Sequence, residues 1–301
     1  MKRLQADLIL LSVSLIWGSA FVVQRIVAGN NSVFLFNGLR FFLAGLLLLP
    51  IVWLKSKNNR FTVSLRRQEI IGVGLAGLLL TCGAALQQAG LRYTTAGNAG
   101  FITGLYVVLI PIIQAVFLKR SPPIFIWIAA LLSASGLFLL STGGDLSINI
   151  GDLLELAGAC FWALHVIWIG YMVRSVDGFQ LAMGQYLVCG ATSILLGLLI
   201  EPNQAKNITT AAWAIIYTGI ISVGLGYTLQ IFGQKVAPPA DAAIILSLEA
   251  VFAALFGWIF LSEGLTVLQL VGCGIMLSGM LLAQASSMSE RFKQPGQPDI
   301  V

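Results

Sequence analysis

Ten stretches of about 20 mainly apolar residues take up almost the whole chain, and a stretch of that length and character crosses the hydrocarbon core of a bilayer as a helix. They run at about 7–27, 34–54, 69–91, 96–118, 124–141, 152–172, 178–200, 211–233, 240–261 and 265–285. A bilayer offers no water to the backbone, so each span must satisfy its own N–H and C=O groups as a helix. The expectation is an all-α integral membrane fold of ten transmembrane helices. Composition agrees: the chain is 58% hydrophobic and 10% charged, whereas a soluble domain carries about 25% charged residues. The loops are short. Residues 286–301 are polar, with Pro295, Gly296 and Pro298, and are read as a disordered cytoplasmic tail. Lys2 and Arg3 precede the first stretch as in a signal peptide, but its apolar run is longer than an h-region and lacks an A-x-A site.

The net charge of +5 is a topology signal, with no nucleic acid implied. With the N-terminus inside, Lys2, Arg3, Lys55, Lys57, Arg60, Arg66, Arg67, Lys119, Arg120, Arg174, Lys235, Arg291 and Lys293 fall on the inner side, and Arg92 and Lys206 on the outer. Arg25 and Arg40 lie within spans. This bias places both termini in the cytoplasm and the chain in a bacterial inner membrane.

The chain also aligns with itself. An offset of 143 puts Leu86-Gln87 on Leu229-Gln230, Ala99 on Ala242, Leu105 on Leu248, Phe117-Leu118 on Phe260-Leu261 and Ser135-Gly136 on Ser278-Gly279. Near the start of each half the offset is 145, which puts Asp7 on Asp152 and Trp17 on Trp162. The halves are 1–145 and 146–285, with 286–301 as the tail. Five spans is an odd number, so the two repeats are inverted. Inverted repeats recur in secondary transporters, whose substrate site lies near the midplane between the halves.

Ionisable groups inside a membrane are expensive and therefore suspect. Glu249 stands near the middle of the ninth span, as a proton-coupling or substrate-amine site, or as a structural group, either paired with an arginine or a hydrogen-bonded carboxylic acid. Arg40 can grip a substrate carboxylate through its fork of donors, or anchor a carboxylate of another helix. His165, the only histidine, is a proton shuttle or a buried hydrogen-bonding residue. Asp152 and Glu155 lie near the outer entrance of the sixth span, where carboxylates suit a helix N-terminus. Gln87, Asn98, Gln185 and Gln230 supply amides, and Trp17, Tyr106, Trp162 and Tyr227 supply aromatic walls, a set that fits an amphipathic organic solute. Ala96, Gly100 and Gly104 form a small-residue stripe for helix packing. Pro111 is expected to kink the fourth span. Cys82, Cys160, Cys189 and Cys273 lie in apolar segments without CxxC spacing and are read as packing residues, with neither disulfide nor metal. No Walker loop, GxSxG or HExxH is present, so neither an enzyme nor a cofactor is expected.

Several of these residues fall in motifs. Trp17-Gly18-Ser19-Ala20-Phe21, Leu39-Arg40-Phe41, Tyr93-Thr94-Thr95-Ala96 followed by Asn98-Ala99-Gly100-Phe101-Ile102, and Leu248-Glu249-Ala250-Val251-Phe252 with Gly257 and Glu263 together resemble the EamA type of the drug/metabolite transporter superfamily. The likeness covers Asp7 to about Gln284. Ala250 and Ser262 stand where that family has Pro and Gly. The resemblance implies ten helices in two inverted halves around a central cavity, alternating access, and Glu249 and Arg40 at family positions. The expected function is transport of a small organic metabolite, with amino-acid export leading and proton coupling as one option. Uptake of a vitamin or nucleobase and a non-transporting membrane scaffold are the alternatives.

Overall fold

A computed structural model describes residues 1–29, 31–57, 65–119, 122–142, 149–264 and 266–293, and every regular element among them is helical. The first half comprises α1 (Arg3–Ala28), α2 (Val33–Lys57), α3 (Arg67–Gly90), a fourth span split into α4 (Ala96–Gly104) and α5 (Tyr106–Val116), and α6 (Ile124–Thr142). The second repeats this order with α7 (Ile150–Met172) and α8 (Gly178–Ile200). A 3-10 helix, Gln204–Ala211, leads into an eighth span made of α9 (Ala212–Tyr217), a π-helical stretch Thr218–Tyr227 and α10 (Thr228–Gln234). The ninth span is split into α11 (Pro239–Leu246) and α12 (Glu249–Leu261), and α13 (Val267–Lys293) is the tenth. Eight of the ten spans are long and apolar enough to cross a membrane, and the shorter apolar helices Ile124–Leu140 and Val267–Ala283 supply the other two. Helix α13 runs on into the segment read from sequence as a tail; Arg60, Arg120 and residues 294–301 lie outside the described residues.

The packing follows the repeat. Helix α1 lies against α12 and α10, and its counterpart α7 lies against α4 and α3. The pairs α2 with α8 and α6 with α13 map onto themselves. Where α6 crosses α13 the symmetry extends to single atoms. A Cβ added at Gly136 would sit 2.5 Å from the Gly272 carbonyl oxygen, and one added at the equivalent Gly279 would sit 2.9 Å from the oxygen of Ala129, the equivalent of Gly272. Only glycine admits that backbone approach, which is how small residues dock helices in lipid. Leu195, Leu198, Leu199, Phe117 and Phe260 are exposed on the outer surface, where acyl chains rather than water would cover them.

The helix ends have identifiable causes. Asn149 and Asp152 form a capping box at the start of α7, Asp177 caps α8, and Thr95 accepts from Asn98 N at the start of α4. Two residues other than glycine have left-handed backbone, Lys119 (φ 51°) and Ser262 (φ 57°). They are 143 positions apart, so both split spans end in the same way. The interruptions inside those spans match too. Leu105 N bonds Ile102 O and Leu248 N bonds Ile245 O, both at 3.2 Å. Each is a tightened i→i−3 turn in the middle of the membrane. The fourth span is broken at Leu105, six residues before Pro111, which lies inside α5. The ninth span breaks at the equivalent Leu248 without a proline at 250, so local backbone bonding makes the break.

Ion pairs mark the two faces. On the face that carries the N-terminus, Arg3 joins Asp7 (2.7 Å) to Asp241 (2.9 Å), which ties α1 to α11. On the opposite face Arg92 bonds the carbonyls of Ala28 and Asn31 and pairs with Glu201 at 3.6 Å.

Candidate functional site

The two breaks place Tyr106 and Glu249 at the starts of α5 and α12, and these residues are 143 positions apart. They meet: the Tyr106 hydroxyl donates to Glu249 Oε1 at 3.0 Å. The hydrogen bond thus joins two positions that the repeat makes equivalent, between the two halves. A carboxylate at the first turn of a helix is favoured by the partial positive charge there.

Around this pair lies a narrow cavity, with about 30 Å³ open to the centre of a water-sized sphere, which is room for about two waters before the walls move apart. Of the residues singled out from sequence, Glu249, Arg40, His165, Trp17, Trp162, Tyr106, Gln87, Tyr227 and Gln230 line it. Most are almost wholly buried, Glu249 and Arg40 at 3% exposure and His165 and Gln230 at 0%. Trp17 and Trp162, equivalent positions of the halves, both contribute, as do Gln87 and Gln230.

Tyr227 organises the aromatic wall. Its ring centroid is 4.6 Å from Trp17, 5.8 Å from Phe41, 6.0 Å from Trp162 and 6.1 Å from His165. It is the last residue of the π-helical stretch, which packs on α2. Within that stretch the Ser222 carbonyl accepts from Trp17 Nε1 at 3.2 Å. π-Helical turns are frequent at functional sites, and no sequence signal announced this one.

Arg40 lacks the ionic partner that one reading gave it. No salt bridge among the described residues includes it. Its guanidinium lies 5.2 Å from the ring centroids of both Phe36 and Phe41, and its Nε has no hydrogen-bond partner. Glu249 has no arginine partner among the described residues, and its hydrogen bond from Tyr106 is the other arrangement that the structural reading allowed. His165 Nε2 pairs with Gln185 Oε1 at 3.0 Å, and its Nδ1 is unpartnered. Trp162 Nε1, Gln230 Oε1 and Gln24 Oε1 are buried and unpartnered as well. Native proteins leave few such atoms unsatisfied, and here five side chains that line one cavity each carry one.

Two candidates fall outside the lining. Gln185 stands behind His165 and orients it, and Asn98 sits in the first turn of α4, where its N–H bonds the Thr95 hydroxyl. Gln24, Thr103 and Ser222 line the cavity and were not singled out. Glu155, read from sequence as an entrance residue, is 0% exposed and accepts from the Thr103 hydroxyl at 3.1 Å.

Comparison with known proteins agrees with this architecture. The model of the EamA-like transporter family matches twice, over residues 4–142 and 149–284. An uncharacterized transporter of Archaeoglobus fulgidus is 36% identical over 286 residues, covering 93% of this chain and 86% of its own. The threonine/homoserine exporter RhtA of Escherichia coli is 31% identical over 182 residues, 57% of this chain and 58% of its own. A solved crystal structure superposes with a TM-score of 0.77 at 19% identity, covering 97% of this chain and all of that one, and so shares the fold.

Proposed function

This chain belongs to the EamA-like transporter family, and we propose that it is a secondary transporter that exports a small zwitterion, an amino acid or a close relative, from a bacterial cytoplasm by alternating access. Both termini lie on the cytoplasmic side in this reading, which rests on the distribution of Lys and Arg between the loops. Residues 1–145 and 146–285 are the two moving halves.

One observation carries the substrate class. Among the described residues, a guanidinium with no anion and a carboxyl with no cation line the same cavity. An amino acid supplies the carboxylate for Arg40, which such a fork binds with directional hydrogen bonds, and the ammonium for Glu249. Trp162 Nε1, Gln230 and Gln24 have polar atoms left for its side chain, and the rings around Tyr227 give it an apolar wall. Glu249 can hold the ammonium or a proton but not both, which would couple export to proton entry. The rings and amides also favour a second reading, uptake of a planar heterocycle such as a nucleobase or vitamin.

The test is thermal stabilisation of the purified protein in detergent by L-threonine, homoserine, aromatic amino acids, nucleobases, riboflavin and polyamines. A ligand that binds only the folded state adds about 2.7 kcal/mol at a hundred times its dissociation constant. Stabilisation by zwitterions, lost when either charge of the ligand is blocked, is the expected result. Stabilisation by heterocycles alone would favour the second reading, and no stabilisation followed by no flux in liposomes would favour a scaffold.

A further inference from the structure

We propose that Glu155 is a second proton-carrying carboxyl, which supplies Glu249 from the face opposite the N-terminus through the Thr103 hydroxyl and the cavity. The inference rests on the transport reading above.

Glu155 is 0% exposed. Its Oε2 accepts from Thr103, and its Oε1 is buried with no partner. Asp152 lies three positions earlier on the same helix and accepts from the Thr94 hydroxyl at 2.9 Å. No salt bridge among the described residues gives it a cation. A lone carboxylate in such a place is costly, so the group rests as the acid.

The repeat shows that packing does not require this acid. The offset of 145 sets Glu155 on Leu10, and the offset of 143 sets Gly90 on Gly233 and Thr103 on Leu246. A Cβ added at Gly233 would meet Leu10 Cδ2 at 2.7 Å, and one added at Gly90 would meet Glu155 Oε1 at 2.7 Å. Leucine therefore fills in one half the niche that Glu155 fills in the other. Leu10 and Leu246 are both 0% exposed, so that half meets the same packing need without polar groups.

The positions form a ladder. At 1.5 Å per residue, Asp152 lies about 3 Å, Glu155 about 7 Å and Thr103 about 10 Å along their helices from the opposite face, with Tyr106 and Glu249 deeper. Asp152 is 9% exposed, next to the surface. Glu155 and Thr103 are hydrogen-bonded, and Thr103 lines the cavity with Tyr106 and Glu249. The proton that Glu249 gains is the one Glu155 loses, and Asp152 replaces it from outside, so no buried carboxylate persists without a partner.

The experiment uses the full chain in liposomes, with the panel member that stabilises it most as the probe. Exchange of labelled for unlabelled probe at equal pH needs no net proton movement. Accumulation driven by a pH step does. Glu155→Gln keeps the acceptor for Thr103, and Glu155→Leu copies the other half. Both should exchange at rates within about twofold of wild type and lose driven accumulation by about tenfold or more. If neither variant folds, Asp152→Asn, which keeps an acceptor for the Thr94 hydroxyl and lies outside the cavity, is read by the same comparison. Driven accumulation equal to wild type in the variants overturns the relay and leaves transport standing, as does a wild type that a pH step cannot drive. A wild type that neither exchanges nor accumulates any panel member overturns the transport reading, and the relay falls with it.

Discussion

Arg40→Met separates a substrate-binding arginine from a structural one. The side chain is 3% exposed, its Nε has no partner, and its neighbours are the faces of Phe36 and Phe41. Breaking a buried ion pair costs about 3–5 kcal/mol, because the remaining charge is stranded. Here no charge is stranded, and methionine refills most of the volume. The empty protein should change stability by no more than about 1.5 kcal/mol, the scale of a swap that keeps volume. Binding should change far more. A hydrogen bond to a charged group contributes about 1.5–3 kcal/mol, so affinity for L-threonine should fall about 10- to 150-fold. Equilibrium binding in detergent measures this, with the amine that lacks the carboxylate as control; variant and wild type should bind that amine alike. A variant that melts far below wild type, or that loses both ligands equally, would refute the assignment.

Glu249→Gln keeps an acceptor for Tyr106, so it should fold normally and lose flux by about tenfold or more; wild-type flux in liposomes would remove Glu249 from the mechanism. Ser262→Gly should raise stability by about 1 kcal/mol, since a left-handed backbone costs a residue with a Cβ about 1–2 kcal/mol, and a lower thermal midpoint would contradict that account. Gly136→Val should push α6 away from α13 and cost about 1–3 kcal/mol or more, seen as lost folded yield on size-exclusion chromatography, whereas substitution at Gly274, where an added Cβ meets nothing within 4 Å, should have little effect.

The spans and the two halves were legible because each rests on one strong signal, a long apolar run or a register that many residues share. Most of the cavity was legible for a related reason. A polar group deep in a span is costly, so Glu249, Arg40, His165, Gln87 and Gln230 stood out before any geometry was known. What failed depended on rotation and tertiary packing. Asn98 and Gln185 are polar and lie in helices, but neither lines the cavity, and Gln185 reaches it only through His165; helix phase is poorly encoded where apolar residues surround a span. Glu155 lies near the outer end of its helix, as read, but its complete burial was not legible, because position along a helix does not report depth within the packed protein. Pro111 drew attention to the wrong turn of the fourth span. The π-helical stretch has no composition of its own; its contacts are with α2 and Trp17.

The repeat also gives a way to tell scaffold from chemistry. Where the halves agree, as at Trp17 and Trp162, Gln87 and Gln230, or Lys119 and Ser262 in backbone, the shared feature builds the walls and the helix ends. Function that discriminates between substrate, proton and counter-charge cannot come from identical groups facing one another. Two carboxylates at 106 and 249 would repel, and two tyrosines would leave no acid. The chain instead has Tyr106 opposite Glu249, and their difference makes a donor–acceptor pair between the halves. The same logic sets Arg40 against Gln185 and Glu155 against Leu10 by the offset of 145. Each of these pairs puts an ionisable group in one half where the other half has a neutral one. In the transport reading proposed above, symmetry supplies two states of similar energy, and these departures from it are what would let each state bind differently.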